Sequence, residues 1–274
     1  MAAVYQQSWP RMNEAPDRLL ATDEPAPFTV DNETGTSPLL IVADHAGKHF
    51  PRQLRQLGLS NAECGRHIAW DIGVGAVCCL IGKALDAVVI RQNYSRLVID
   101  CNRTPWTETS ILDLSDLTRV PGNIGLSKRH TLARVHEIFQ PYHDRIVTEL
   151  DRRREAGRPT ALISVHSFTP VLEDVRRLWH VGVLYNRDPR FAHILMELLH
   201  REAGLGVGDN EPYSVTDASD YTIPVHGERR GLHHVAIEIR QDLITDETGQ
   251  QKLAALLVRL LPQAYQRLTE VPFD

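Results

Sequence analysis

Cysteine is scarce in this chain, with four in 274 residues. Cys64, Cys78, Cys79 and Cys101 form no CxxC pair and no disulfide-framework spacing, which excludes a stapled secreted scaffold and fits a reducing cytosol. Long apolar runs are also missing. The most apolar segment, from Gly73 to Gly82, is about half the length that a membrane span of roughly 20 residues needs. The first residues lack the charged-then-apolar pattern of a signal peptide. An excess of one charge is absent too: 30 basic against 35 acidic residues leave a formal charge of −5. The cluster Arg152-Arg153-Arg154 is diluted by Glu149, Asp151 and Glu155, so it reads as a solvated helix end rather than a nucleic-acid surface. There is no repeat, no low-complexity tract, no linker and no GxSxG elbow for a serine nucleophile. These absences leave a single cytoplasmic domain, a monomer or small homo-oligomer, without a nucleic-acid or membrane partner.

What is present is an alternation of apolar strand-like runs with helical stretches. Residues 1–36 are polar and read as an irregular segment. Leu39–Ala43 reads as the first core strand. A helix is expected from about Ala62 to Leu85, capped by Ser60 or Asn61. Ala87–Arg91 and Arg96–Ile99 read as short strands. Ser127 caps a long helix to about Ala156, interrupted near Pro141, because proline lacks the amide donor and clashes with the preceding turn. Ala161–Val165, Trp179–Tyr185 and Val235–Ile239 are further strands. Arg190–Ala203, closed by Gly204, and Glu247 to about Leu268 are helices. The loops over 103–126 and 205–233 would wall a cleft. This pattern predicts an α/β fold: one three-layer α/β/α domain around a mixed, mostly parallel sheet.

Four apolar runs end in chemistry. Leu39–Ala43 runs into Asp44-His45, Leu97–Ile99 into Asp100-Cys101-Asn102-Arg103, Ala161–Val165 into His166-Ser167, and Val235–Ile237 into Glu238. Open α/β sheets bind their ligands at the carboxyl ends of strands. Thirteen histidines make histidine common here. His130, His136, His193 and His200 sit at helical positions and read as surface or packing residues. His45 and His166 differ, since each follows a continuous apolar strand, and they are candidate metal ligands. A catalytic zinc takes three protein ligands and keeps a fourth position open. For the third, Asp71 is favoured, as a charge within the apolar string His67 to Gly73. His49, His67 and Asp44 stay open as alternatives. Glu238, inside a β-branched strand, is costly unless paired with Arg240 or used as a proton acceptor and donor. Arg103 offers a planar fork for a substrate carboxylate, assisted by Asn102.

Two resemblances follow from these residues. At long range the strand ends resemble the zinc carboxypeptidase-like fold, of the zinc-exopeptidase and phosphorylase/hydrolase-like kind. His166-Ser167-Phe168 resembles its last zinc ligand, Asn102-Arg103 its carboxylate-binding pair, and Glu238-Ile239-Arg240 its catalytic glutamate motif. Its His-x-x-Glu motif is not kept, because Lys48 stands where the glutamate would fall. At short range the chain resembles the N-formylglutamate amidohydrolase family. The matching residues are Asp44-His45-Ala46-Gly47 with Pro51, Trp70-Asp71, Arg96 through Asn102-Arg103, Pro141-Tyr142-His143 and His166 through Pro170. Further on come Asn210 through Ser214, His226-Gly227, and Glu238 with Arg240 through Leu243. The resemblance implies hydrolysis of N-formyl-L-glutamate to formate and glutamate. It implies zinc on His45, Asp71 and His166, Glu238 as general base and then acid, and Arg103 with Asn102 on a substrate carboxylate. Arg96, Tyr213 and His226 are further pocket candidates. The implied partner is a small acidic molecule.

Overall fold

The computed structural model describes residues 18–270. The strands are β1 (Phe28–Asp31), β2 (Leu39–Ala43), β3 (Val88–Gln92), β4 (Leu114–Ser115), β5 (Thr118–Arg119), β6 (Ala161–Phe168), β7 (Val171–Leu172), β8 (Val175–Arg176), β9 (Val181–Leu184), β10 (Val207–Asp209) and β11 (His233–Arg240). The α-helices are α1 (Asn61–Cys64), α2 (Val74–Leu85), α3 (Lys128–Arg134), α4 (Gln140–Glu155), α5 (Arg190–Leu199) and α6 (Glu247–Glu270). Seven strands form one sheet in the order β1-β3-β2-β6-β11-β9-β10. The central four, β3, β2, β6 and β11, run parallel. β1 joins one side antiparallel, and β9 joins β11 antiparallel with β10 parallel to β9.

The sheet is covered on both faces, and strand alternation separates the two cores. Leu39, Ile41, Ala43, Ile163, Val165 and Ile237 point to the side packed by α2, α5 and α6. Leu40, Val42, Leu162 and Ala236 point to the other side, with Ile146 and Leu150 of α4. Two covered faces are why β2 and β6 are buried along their whole length and read as unbroken apolar runs. On the second face the apolar series turns polar toward the carboxyl ends. Val42 leads to Asp44, Leu162 to Ser164 and His166, and Ala236 to Glu238.

Several expectations need correction. Phe28–Asp31 belongs to the sheet, so the segment to residue 36 is not wholly irregular; residues 1–17 lie outside the described residues. The helix expected over Ala62–Leu85 is broken. Ser60 does cap a helix, in a reciprocal capping box with Glu63, but that helix ends at Cys64. Residues 65–73 are turns before α2. Gly73 has a φ of 82°, and a Cβ there would lie 2.1 Å from the Ile244 carbonyl oxygen, so only glycine makes this entry to α2. Arg96–Ile99 is a turn rather than a strand. The 205–233 region contains β10 and a π-turn over Ile223–Gly227. The break near Pro141 is a π-turn over Val135–Phe139, directly before α4. One widened turn relieves the proline's clash without ending the helix.

Candidate metal centre and active site

His45 lies just past the end of β2, and His166 is the sixth residue of β6. Asp71 comes from the turns before α2, where its backbone N–H donates to the His45 carbonyl at 2.9 Å. The atoms converge. His166 Nδ1 is 3.2 Å from His45 Nδ1 and 3.0 Å from Asp71 Oδ2. His45 Nδ1 is 3.5 Å from Asp71 Oδ2. Ligand atoms 2.0–2.1 Å from a tetrahedral zinc stand roughly 3.3–3.4 Å apart, so the three edges fit such a tripod. All three residues are buried.

Carboxylates behind the tripod assign its tautomers. His45 Nε2 donates to Asp100 Oδ1 at 2.7 Å. His166 Nε2 faces Asp44 Oδ2 at 3.3 Å and Ser164 Oγ at 3.1 Å. With the Nε2 atoms so engaged, both Nδ1 atoms are the ones that can serve a metal. Burial opposes protonation of His166, but Asp44 and Asp71 outweigh it and hold the imidazole well above its usual pKa, so a positive charge, a proton or a metal in its place, sits among the three atoms. The donor set fits a metal ion with an outer shell of carboxylates.

The carboxylates are held in their ionised form. Burial pushes the Asp44 carboxyl up, but His166, His45 and His143 overcome it and leave the group at about 2. Burial likewise opposes ionisation of Asp100, and Arg96, His45 and Arg103 outweigh it, so it lies well below the usual range. Asp71 is lowered for the same reason, with burial opposed first by His45 and then by His166. Asp44 also accepts from Tyr142 Oη at 2.9 Å and Thr222 Oγ1 at 2.8 Å. Such a set of donors makes a fully buried charge tolerable.

Glu238 behaves differently. It pairs with His166 across β11 and β6, and its Oε2 is buried with no hydrogen-bond partner. Burial, with Asp71 adding to it and His166 opposing it, pushes this carboxyl up to about 7. A group of that pKa both takes and gives a proton near neutral pH. Leaving such an oxygen unpaired costs on the order of 1–3 kcal/mol, which argues for a functional role. The alternative role as a partner of Arg240 does not hold, since Arg240 pairs with Asp242 at 2.8 Å.

Tripod and glutamate open into a cavity of about 590 Å³, lined also by Arg96, Asn102, Arg103 and Tyr213. Arg103 donates through Nη1 to the Asn102 carbonyl at 3.0 Å and stands 3.7 Å from Asp220 Oδ1, so its fork is not closed on a carboxylate. Asn102 lines the cavity, and its amide is partly engaged. It donates to Asp220 Oδ1 at 2.9 Å and accepts the backbone N–H groups of Tyr221 and Thr222. It therefore places the 220–222 segment and keeps one amide N–H for a ligand. Arg96 binds Asp100 Oδ2 at 2.6 Å and faces Asp71 Oδ1 at 3.7 Å, balancing the charge around His45. His226 does not line the cavity. It is buried against His143 and Tyr221, which removes it from the substrate candidates.

The open choices for the third ligand resolve by position. His49 is exposed near Tyr94, His67 turns to Asp116 at 3.3 Å, and Asp44 stands behind His166. Lys48, at the position of the missing glutamate, lies over the Trp70 ring at 5.0 Å, and Asp71 follows that tryptophan. The sequence reading gave no role to Asp100, Asp44 or Ser164 as supports. The adjacency of Asp44 to His45 and of Asp100 to Asn102-Arg103 was the only signal for the first two.

A mixed, mostly parallel sheet with a two-histidine, one-aspartate tripod and a free carboxylate at its strand ends defines a hydrolase-type α/β site. Residues 37–245 match the family model described as N-formylglutamate amidohydrolase, and the chain belongs to that family of amidohydrolases. A gene product of Agrobacterium tumefaciens is similar in structure, with 34% identity and a TM-score of 0.89, over 92% of this chain and 100% of that one. The N-formylglutamate amidohydrolase of Ralstonia eutropha shares the fold at 19% identity and a TM-score of 0.69, over 90% of this chain and 100% of that one. No curated protein matches the chain. Among the described residues, no helix is long and apolar enough to cross a membrane.

Proposed function

We propose that this protein hydrolyses the formyl amide of N-formyl-L-glutamate, with zinc held by His45, Asp71 and His166. The observation that carries the reading is the convergence of two imidazole Nδ1 atoms and a carboxylate oxygen beside Glu238 Oε2, which has no partner among the described residues. A dication held by His45, Asp71 and His166 would supply a Lewis acid for the formyl carbonyl and for water. Its charge would also draw the Glu238 carboxyl down from about 7, toward the proton-accepting form. Glu238 takes the proton of the attacking water as the C–O bond forms. It returns that proton to the amide nitrogen as the C–N bond breaks, giving formate and the free amine. Arg103 holds a substrate carboxylate with two parallel hydrogen bonds. Asp100 and Asp44 keep both imidazoles in one tautomer throughout. The setting we propose is cytoplasmic, with a small acidic metabolite as the partner.

The test is metal analysis of protein purified without chelator, followed by formate release from a panel of N-formyl amino acids. About one zinc per chain and fastest turnover of the glutamate derivative are expected. A metal-loaded protein that releases no formate from any of them would overturn the reading. The breadth of the cavity favours one second reading, a larger acyl group on the same amino acid. The same panel extended to N-acetyl and longer N-acyl glutamates separates the two.

A further inference from the structure

Leu184 of β9, Val215, Ile223 and Ala236 of β11 form an apolar wall of the cavity that the mechanism does not use. Each is at most 4% exposed, so the wall is shielded from bulk water. The sheet register places it. Ala236 pairs with Ser164 on one side and with Leu184 on the other. This row lies two residues before Glu238 and His166 on the same face, about 6.6 Å deeper at roughly 3.3 Å per residue. Two small side chains leave room in the row: Ala236, and Ser164, whose hydroxyl is turned to Asp44 and His166. The far end of the wall adjoins the carboxylate clamp. Asn102 accepts the backbone N–H groups of Tyr221 and Thr222, and Ile223 is the next residue. An apolar recess therefore lies between the Asn102–Arg103 pair and Glu238. An α-amino acid presents three groups from one carbon: the carboxylate for Arg103, the nitrogen for Glu238, and the side chain. With the first two held, the side chain emerges between them, where the recess is.

We propose that this recess receives an aliphatic amino-acid side chain, which makes N-formyl derivatives of amino acids such as norvaline and leucine a second substrate class of the site. The proposal rests on the reading of the site as an N-acyl amino acid hydrolase with Arg103 on the α-carboxylate. It extends that reading beyond glutamate, because the wall offers apolar area and no cation.

Two measurements on metal-loaded full-length protein test it. The first is kcat/KM for formate release along the N-formyl series of glycine, alanine, 2-aminobutyrate and norvaline. Each added methylene should raise it by about fourfold, the effect of burying one CH₂. Ala236→Val narrows the recess and should cut the norvaline derivative by roughly tenfold relative to the glycine derivative, through KM more than kcat. Leu184→Ala widens it and should move the optimum to longer side chains. A flat series in the parent, or equal effects of both variants on the glycine and norvaline derivatives, would overturn the recess. The second measurement is calorimetric binding of pentanoate, the norvaline skeleton without its amine, which needs no turnover. Its affinity should fall by roughly tenfold in Ala236→Val and at least as much in Arg103→Gln. No pentanoate binding by the parent, or unchanged affinity in Ala236→Val, counts against the recess. If pentanoate binds as expected and no N-formyl substrate is turned over, the hydrolase reading alone fails and the recess stands.

Discussion

Glu238 stands directly beside His166 in the parallel register of β11 and β6. Registered residues of adjacent parallel strands point to the same face, about 4.8 Å apart. The pairing therefore brings the proposed proton-transfer group next to a proposed metal ligand without any loop to hold it. A slip of one residue would turn Glu238 into the opposite apolar core, so the hydrophobic pattern of β11 also fixes the catalytic geometry. Gly182 of β9, registered with Glu238 on its other side, must be glycine because a Cβ there would lie 2.0 Å from the Glu211 carbonyl oxygen.

Converting Glu238 to Gln keeps the volume and removes the proton acceptor. Turnover should fall by roughly 10²–10⁴, with zinc content and melting temperature near those of the parent. A folded, zinc-loaded Gln variant with near-parental turnover would take Glu238 out of the mechanism.

His45→Ala and His166→Ala should each abolish tight zinc binding, read by metal analysis after dialysis. Asp71→Asn should weaken it strongly. Asp100→Asn tests the outer shell. It keeps a partner for His45 but loses the charge, and metal affinity should drop by roughly 10- to 100-fold. Full metal retention in both histidine variants would disprove the tripod.

Arg103→Lys preserves charge and loses the fork, so KM for the acidic substrate should rise while a neutral amide is unaffected. Asn102→Ala should show a different signature. Losing the amide that holds Asp220, Tyr221 and Thr222 should lower stability by about 1–3 kcal/mol in urea unfolding and raise KM together. A variant that raises KM without any loss of stability would return Asn102 to direct substrate contact.

The buried pair His143–His226 predicts an acid limit. His143 Nε2 donates to the Cys101 carbonyl at 2.8 Å, and its Nδ1 accepts from His226 Nε2 at 2.9 Å. Burial, only partly offset by Asp44 and the Cys101 carbonyl, lowers His143 to about 4. Burial and the neighbouring His143 and Arg230 lower His226 further. The unfolded chain thus binds these protons first as pH falls. Stability supplied by neutral His143 is complete above about 6.5 and declines down to about 4, by up to about 1.4 kcal/mol per pH unit. His143→Gln can keep both hydrogen bonds without titrating. Its unfolding free energy should fall less steeply with pH than the parent's over that window, and parallel curves would refute the assignment.

The fold class was legible because β2, β6 and β11 are continuous apolar runs that only a doubly covered sheet can bury. The same runs exposed His45, His166 and Glu238, since a polar residue at the end of such a run breaks an otherwise uniform pattern. The sequence alone thus determined the fold class, the core strands and the candidate residues at their ends. It did not determine which aspartate completes the tripod. That choice depends on the chain leaving helical geometry after Cys64 and on Gly73 packing against Ile244, a contact between segments far apart in sequence. His226 was misread, and the second role of Asn102 missed, for a related reason. Whether an amide or imidazole faces the cavity or the protein depends on partners contributed by other segments, here Asp220 for the one and His143 for the other. Local pattern reports which face of an element is buried. Only tertiary structure decides which buried polar group meets another and which is left free to act.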